Sequence, residues 1–224
     1  MKIALLGYGK MGRYIDRLAT AAGDEVVLRI DSHNRAAIST EQLRRAEVII
    51  EFSRPDAAVT NIRWALETGV PIVVGTTGWL EQLEELSEEV RDTGGALFWA
   101  SNFSIGVNVF FAAARELAAA LSAEYTATIT ETHHTEKLDA PSGTALTLAE
   151  EVRRVLQREI PITSYREPDV PGTHELRLRS SIDTLTLTHT AHSREGFAGG
   201  ALAAARWIRG RRGVFTMTDL LRGD

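Results

Sequence analysis

The sequence predicts an α/β protein: a Gly-punctuated, doubly wound parallel sheet, then a smaller α+β domain with a mostly open mixed sheet. Three observations carry this. Up to about Asn102, short apolar runs alternate with amphipathic stretches. The first run leads straight into Gly7-Tyr8-Gly9-Lys10-Met11-Gly12. Beyond Asn102, threonine-rich alternating patterns replace the apolar runs.

Lys2–Leu6, Val26–Ile30, Val48–Phe52, Pro71–Val74 and Ala96–Trp99 are short apolar runs, several rich in Val and Ile. Such runs suit strands buried on both faces. Met11–Ala22 is the first helix between them. Pro55–Thr68 is the second, with Pro55 suited to a first turn and Gly69 just past the end. Trp79–Thr93 is the third, with Leu80, Leu83, Leu86 and Val90 on one face. Strands alternating with helices read as parallel crossovers.

Val107, Phe110, Phe111, Ala114, Leu117 and Leu121 then recur at helical spacing. Tyr125–Thr132 sets threonines against Tyr, Ala, Ile and Glu, a half-exposed strand pattern. A helix is expected from about Thr144 to Gln157, and His174–Arg179 and Leu185–Thr190 alternate again. Such strands leave one sheet face open, a candidate oligomer surface. Phe197–Ile208 is a small-residue helix suited to packing back on the first domain. The expected domains are residues 1–104 with 195–224, and residues 105–194. Arg194 sits where the chain returns, and a hinge or structural role is expected for it. His174, His189 and His192 lie in or beside strands and are read as structural or surface residues.

The chain has 224 residues, with 25 Lys and Arg against 30 Asp and Glu, a net charge of −5. That balance argues against a generic nucleic-acid binder, which needs a basic surplus. It leaves room for a local basic pocket. The absence of cysteine removes disulfides, thiolate metal sites and a cysteine nucleophile. It fits the cytoplasm. No stretch approaches the roughly 18 apolar residues of a membrane span, and the few residues before Gly7 are too short for a signal peptide.

The glycine loop follows a strand and opens a helix. Gly7 allows the tight turn, Gly9 the approach of a pyrophosphate and Gly12 close helix–strand packing. This is the dinucleotide fingerprint of a Rossmann-type domain. Asp31 ends the second strand, placed to accept hydrogen bonds from the adenosine ribose. Its charge opposes a 2′-phosphate, so NADH is favoured; His33 and Arg35 follow and keep NADPH open. Phe52-Ser53-Arg54-Pro55, Gly75-Thr76-Thr77-Gly78 and Ala100-Ser101-Asn102-Phe103 end three further strands. Their small and polar residues suit a flat ring and its carboxamide, and they also suit plain turns.

The second informative segment is Glu131-Thr132-His133-His134-Thr135-Glu136-Lys137-Leu138-Asp139-Ala140-Pro141-Ser142-Gly143-Thr144-Ala145. Ser142-Gly143-Thr144 begins a helix whose amides and hydroxyls suit a carboxylate. Lys137 adds positive charge, and His133 or His134 suits proton transfer near neutral pH. Adjacent histidines rarely converge on one ion, and no H-x-H or H-x-x-x-H spacing occurs, so no metal is expected.

This segment resembles the active-site signature of bacterial dihydrodipicolinate reductases, also called 4-hydroxy-tetrahydrodipicolinate reductases. Each fixed position of Glu-x-His-His-x-x-Lys-x-Asp-Ala-Pro-Ser-Gly-Thr-Ala is matched, and the glycine loop, Gly75–Gly78 and Ser101–Asn108 are similar too. The likeness runs from Lys2 to about Leu221. It implies NADH- or NADPH-dependent reduction of a small cyclic dicarboxylate on the diaminopimelate and lysine pathway, by a cytoplasmic homotetramer. It implies that His133 is a proton donor and acceptor and Lys137 a second donor. It also implies that His134, Lys137, Ser142, Gly143 and Thr144 bind substrate. Gly7 to Gly12, Asp31, Phe52, Ser53, Gly75, Thr76, Thr77 and Ala100 to Phe103 would then hold the cofactor. No nucleic-acid or membrane partner is implied. A dehydrogenase with a changed substrate, or a nucleotide sensor without turnover, are the competing readings; a sensor has no need of His133 and Lys137.

Overall fold

The computed structural model describes residues 1–121, 124–193 and 195–223; Arg194, with its expected hinge role, lies outside them. The chain divides into two compact units, one of Met1–Ile105 with the stretch from Phe197 onward, the other Gly106–Gly196.

The first unit holds β1 (Lys2–Leu6), α1 (Lys10–Ala21), β2 (Glu25–Ile30), the short α2 (Thr40–Leu43), β3 (Val48–Glu51), α3 (Pro55–Thr68), β4 (Ile72–Val74), α4 (Leu83–Thr93) and β5 (Ala96–Trp99). Six strands form one parallel sheet in the order β2-β1-β3-β4-β5-β10, where β10 is Gly213–Phe215 near the C-terminus. Period-two alternation divides its side chains between two apolar layers. Ile3, Leu5, Val48, Ile50, Val73 and Phe98 face one layer, with Ile15 of α1. Ala4, Leu6, Ile49, Ile72, Val74 and Leu97 face the other, with Ile62 of α3 and Leu86 of α4. Burial on both faces is why these strands read as continuous apolar runs. Pro55 does open α3, and Gly69 ends it at φ 73°.

The chain steps from β1 out to β2, then crosses to β3 on the other side of β1. The carboxyl ends of β1 and β3 therefore flank the switch point where open α/β sheets take ligands. The register aligns Ile30, Leu6, Glu51, Val74 and Trp99. The next residues, Asp31, Gly7, Phe52, Gly75 and Ala100, form one row along that edge.

The second unit contains α5 (Ile105–Ala120, from its second residue on), β6 (Thr126–His133), α6 (Gly143–Leu156), β7 (Ile162–Arg166), β8 (Gly172–Arg179) and β9 (Thr184–Ala191). Its four-stranded sheet runs β7-β6-β8-β9, with β6 and β7 parallel and the other pairs antiparallel. Ala127, Ile129, Leu176 and Leu178 pack against Phe110, Phe111 and Ala114 of α5 and Leu148 and Val152 of α6. On the other face, Thr126 and Thr128 pair with Arg179 and Arg177, and all four are exposed in the chain.

Several elements depart from expectation, the short α2 among them, while α7 follows it. The helix foreseen over Trp79–Thr93 begins with a separate 3-10 turn at Leu80–Gln82, and the α-helix starts at Leu83. β7 and β10, with the closing α8 (Met217–Arg222), are additional. The small-residue helix α7 (Glu195–Ile208) packs on the first unit's sheet through Ala198, Ala201, Leu202, Ala204 and Ala205.

Candidate functional site

One candidate site lies on the row of strand ends. Gly7 takes φ +96°, and a Cβ there would stand 1.9 Å from the Phe52 carbonyl oxygen. A Cβ on Gly12 would stand 2.2 Å from the Gly7 carbonyl oxygen, so turn and helix meet backbone to backbone. Around Gly9 there is open space. α1 begins at Lys10 with no side-chain cap and no acid in its first turn. Its positive end is thus left to an anion. Tyr8 is anchored: its hydroxyl donates to Asp16 Oδ2 at 2.5 Å, and Arg29 Nε donates to the same oxygen at 2.6 Å. The Arg29 guanidinium beside Asp16 holds that carboxyl below its usual range.

A groove of about 550 Å³ is lined by Gly7, Tyr8, Gly9, Asp31, Phe52 and Ser53, among others. A neighbouring concavity of about 360 Å³ is lined by Gly9, Lys10, Met11, Ser53, Thr76 and Thr77, with Gly75 and Phe52. Together they take in most of the cofactor residues named from the sequence. Ala100 and Phe103 are instead core residues, with the Phe103 ring 5.6 Å from that of Phe52. Ser101 is exposed, while Asn102 Oδ1 accepts from Ser104 N. Asp31 Oδ1 accepts from the backbone of His33 and Asn34, a turn-capping role. Arg35 lies over the Trp64 ring, 3.3 Å from its centroid. It also lines the groove beside Asp31, as does His33.

Glu51 is a residue the sequence reading passed over. It is fully buried at the end of β3, and its Oε1 accepts from the Ser53 hydroxyl and from Asn61 Nδ2. Burial pushes its carboxyl up, against hydrogen bonds from Ser53, Thr76 and Asn61. Ser53 N donates to Thr76 Oγ1 at 2.8 Å, so one polar cluster ties two strand-end loops together.

A second cluster of candidate residues lies in the other unit. β6 and β8 pair Glu131 directly with His174, and His133 lies two residues on, on the same buried face. His133 Nε2 stands 3.2 Å from Glu131 Oε2 and 3.3 Å from His174 Nε2. Its Nδ1 lies 3.3 Å from the Pro171 carbonyl oxygen. A Cβ on Gly172 would come within 2.8 Å of the His133 ring, so glycine makes room for it. Burial lowers the His133 pKa despite Glu131, and burial lowers that of His174 to about 4. Both rings are neutral at pH 7. Burial pushes Glu131 up, but hydrogen bonds from Ser142 and Ser164 and the nearby His133 outweigh it and hold the carboxylate ionised.

Arg166, at the end of β7, reaches Glu131 Oε1 at 3.3 Å and the carbonyl oxygens of Lys137 and Asp139. It therefore pins the loop that carries Lys137. Lys137 Nζ donates to both Asp139 carboxylate oxygens, at 2.8 and 2.9 Å. Ser142 caps α6 by accepting from Ala145 N at 3.2 Å, while its own amide donates to Glu131 Oε1. Gly143 is exposed; His134 and Thr144 are half-buried.

The sequence placed His133 beside His134, but the structure turns His133 inward to His174, a residue read as structural or surface. Glu131, Arg166 and His174 were not among the expected site residues. The partnership is set by strand register, which pairs residues far apart in the chain. What faces outward is Lys137 with Asp139, His134 and the start of α6, an arrangement suited to holding a carboxylate.

A glycine loop at the switch point of a parallel sheet, with Lys137 and a serine-capped helix start in a second unit, defines a Rossmann-type oxidoreductase of two domains. Profiles of dihydrodipicolinate reductase match this chain, the N-terminal one over residues 1–103 and the C-terminal one over 106–221. The chain belongs to the dihydrodipicolinate reductase family. It is 41% identical over 237 residues to a 4-hydroxy-tetrahydrodipicolinate reductase of Christiangramia forsetii, covering 99% of this chain and 98% of that one. A reductase of the same name from Archaeoglobus fulgidus is 35% identical over 262 residues, covering 99% of this chain and 100% of its own. Dipicolinate-bound dihydrodipicolinate reductase from Paenisporosarcina sp. TG-14 shares the fold at a TM-score of 0.83 and 23% identity, over 96% of this chain and 97% of that one.

Proposed function

We propose that this protein is a 4-hydroxy-tetrahydrodipicolinate reductase, converting a small cyclic dicarboxylate to tetrahydrodipicolinate with NAD(P)H in diaminopimelate and lysine biosynthesis. The observation that carries this reading is Lys137 gripping a carboxylate beside the start of α6, within a chain 41% identical to a reductase of that name. The contact of the Lys137 ammonium with both Asp139 oxygens supports a role for it in holding a substrate carboxylate.

The glycine loop, Asp31, Phe52, Ser53, Gly75, Thr76 and Thr77 would hold the cofactor, with Ala100 to Phe103 shaping the nicotinamide end. Bound NAD(P)H supplies the hydride. Hydride arrival leaves negative charge on the ring, and a positioned acid must quench it. Lys137 and His133 are the proton-transfer groups of this reading. Lys137 has the more open head, with 22% of its side chain exposed against 10% for His133. His134, Ser142, Gly143 and Thr144 would bind the carboxylates, aided by the helix dipole. NADH is the favoured cofactor, supported by Asp31 at the end of β2 in the groove; His33 and Arg35 beside it keep NADPH open. A cytoplasmic homotetramer completes the reading; the exposed face of the second sheet is its candidate surface for association.

The test is loss of NADH and NADPH absorbance, with substrate formed in place by an aldolase from pyruvate and aspartate semialdehyde. Rapid aldolase-dependent oxidation, faster with NADH, is expected. A folded protein that binds NADH but never oxidises it would overturn the reading.

A further inference from the structure

Glu131, His133 and His174 turn three ligand atoms on one another in the buried side of the second sheet. Glu131 Oε2 is enclosed and makes no hydrogen bond, although His133 Nε2 lies 3.2 Å away and His174 Nε2 3.8 Å. The two Nε2 atoms are 3.3 Å apart. All three residues are more than nine-tenths buried. A carbonyl oxygen only accepts, so the approach of Pro171 O assigns the His133 proton to Nδ1 and leaves Nε2 a lone pair. The other Glu131 oxygen is held by Ser142 N and Arg166. Such outer partners are what orient a metal-ligating carboxylate. Glu131 Oε2 is left without a donor, and one cation displacing the shared ring proton would engage that oxygen and both ring nitrogens.

The spacing has the dimensions of such a site. Tetrahedral zinc with ligands at about 2.0–2.1 Å places those ligands roughly 3.3 Å from each other. Two of the three separations, 3.2 and 3.3 Å, have that length. Ser142 Oγ, 3.2 Å from His174 Nε2, supplies a nearby fourth oxygen. Two imidazoles and one carboxylate suit zinc, cobalt or nickel rather than the all-oxygen shells of magnesium and calcium.

We propose that Glu131, His133 and His174 form a binding site for one divalent transition cation of the zinc class. An ion there engages His133 Nε2 and withdraws that imidazole from proton transfer.

Cobalt(II), titrated into the chelator-treated full-length protein, is the probe, because tetrahedral cobalt absorbs strongly in the visible and octahedral cobalt weakly. A band saturating at one ion per chain is expected, erased by zinc and untouched by magnesium. His174→Ala and Glu131→Gln lose it. His192→Ala, altering an exposed ring, keeps it. Circular dichroism and NADH binding report that the variants are folded. Absence of the band in the unaltered protein, or its survival in folded His174→Ala, overturns the proposal; the first of these stands whether or not a variant folds.

Discussion

Glu51 shows what one buried carboxyl does at the scale of a residue. Burial raises its pKa in the folded chain above the ordinary 4.5. A carboxyl so shifted contributes stability that is complete below its unfolded pKa and is lost as pH rises through the folded value. Glu51→Gln keeps an acceptor for Ser53 and Asn61 and carries no charge. The variant is therefore expected to melt higher than the parent at pH 8, by several degrees, with the gain vanishing near pH 4. Melting curves across that range check it. Lys137 and Asp139 give a second expectation. Their ion pair is exposed on the Asp139 side, where such pairs are worth about 0.2–1 kcal/mol. If Lys137 binds substrate as proposed, Asp139→Asn frees its ammonium, so KM should fall by about 1.4- to five-fold with kcat little changed, as steady-state kinetics would show. The loop from His133 to Thr144 was legible because its chemistry is contiguous in the chain. The cluster behind it was not. Glu131 and His174 meet only through the pairing of β6 with β8, and nothing local to either residue announces its partner.

At the scale of elements, legibility followed burial. β1, β3, β4 and β5 are apolar on both faces, and their sequences show it. β7 reads Ile-Thr-Ser-Tyr-Arg at a sheet edge, and β10 has three residues. Neither has enough apolar character to stand out. α7 was legible as a small-residue helix, and the structure gives the reason for its smallness. A Cβ on Gly200 would stand 1.7 Å from the Phe103 carbonyl oxygen. Backbone cannot yield as a side-chain tip does, so helix and loop must separate. Gly200→Ala is expected to cost about 1–3 kcal/mol, the usual range for overpacking. It should also weaken NADH binding, since Phe103 belongs to the segment proposed to shape the nicotinamide end. Urea denaturation and a fluorescence titration measure the two effects.

For the whole molecule, the decisive feature is that the first unit is discontinuous: its sheet edge β10 and its covering helix α7 come from the far end of the chain. A chain stopped after Gly196 lacks both, exposing Phe98 and Val73 on one face of the sheet. Such a truncation is expected to abolish NADH binding and to bind a hydrophobic dye, with dye fluorescence and gel filtration as the readouts. The arrangement also sets a schedule for synthesis. Domains begin to fold as they leave the ribosome, the N-terminal parts first. Here the glycine loop is made among the first residues, yet the layer beneath it is finished only when the last helix and strand emerge. The second unit, contiguous in the chain, is complete sooner, so the domain begun first is the one completed last.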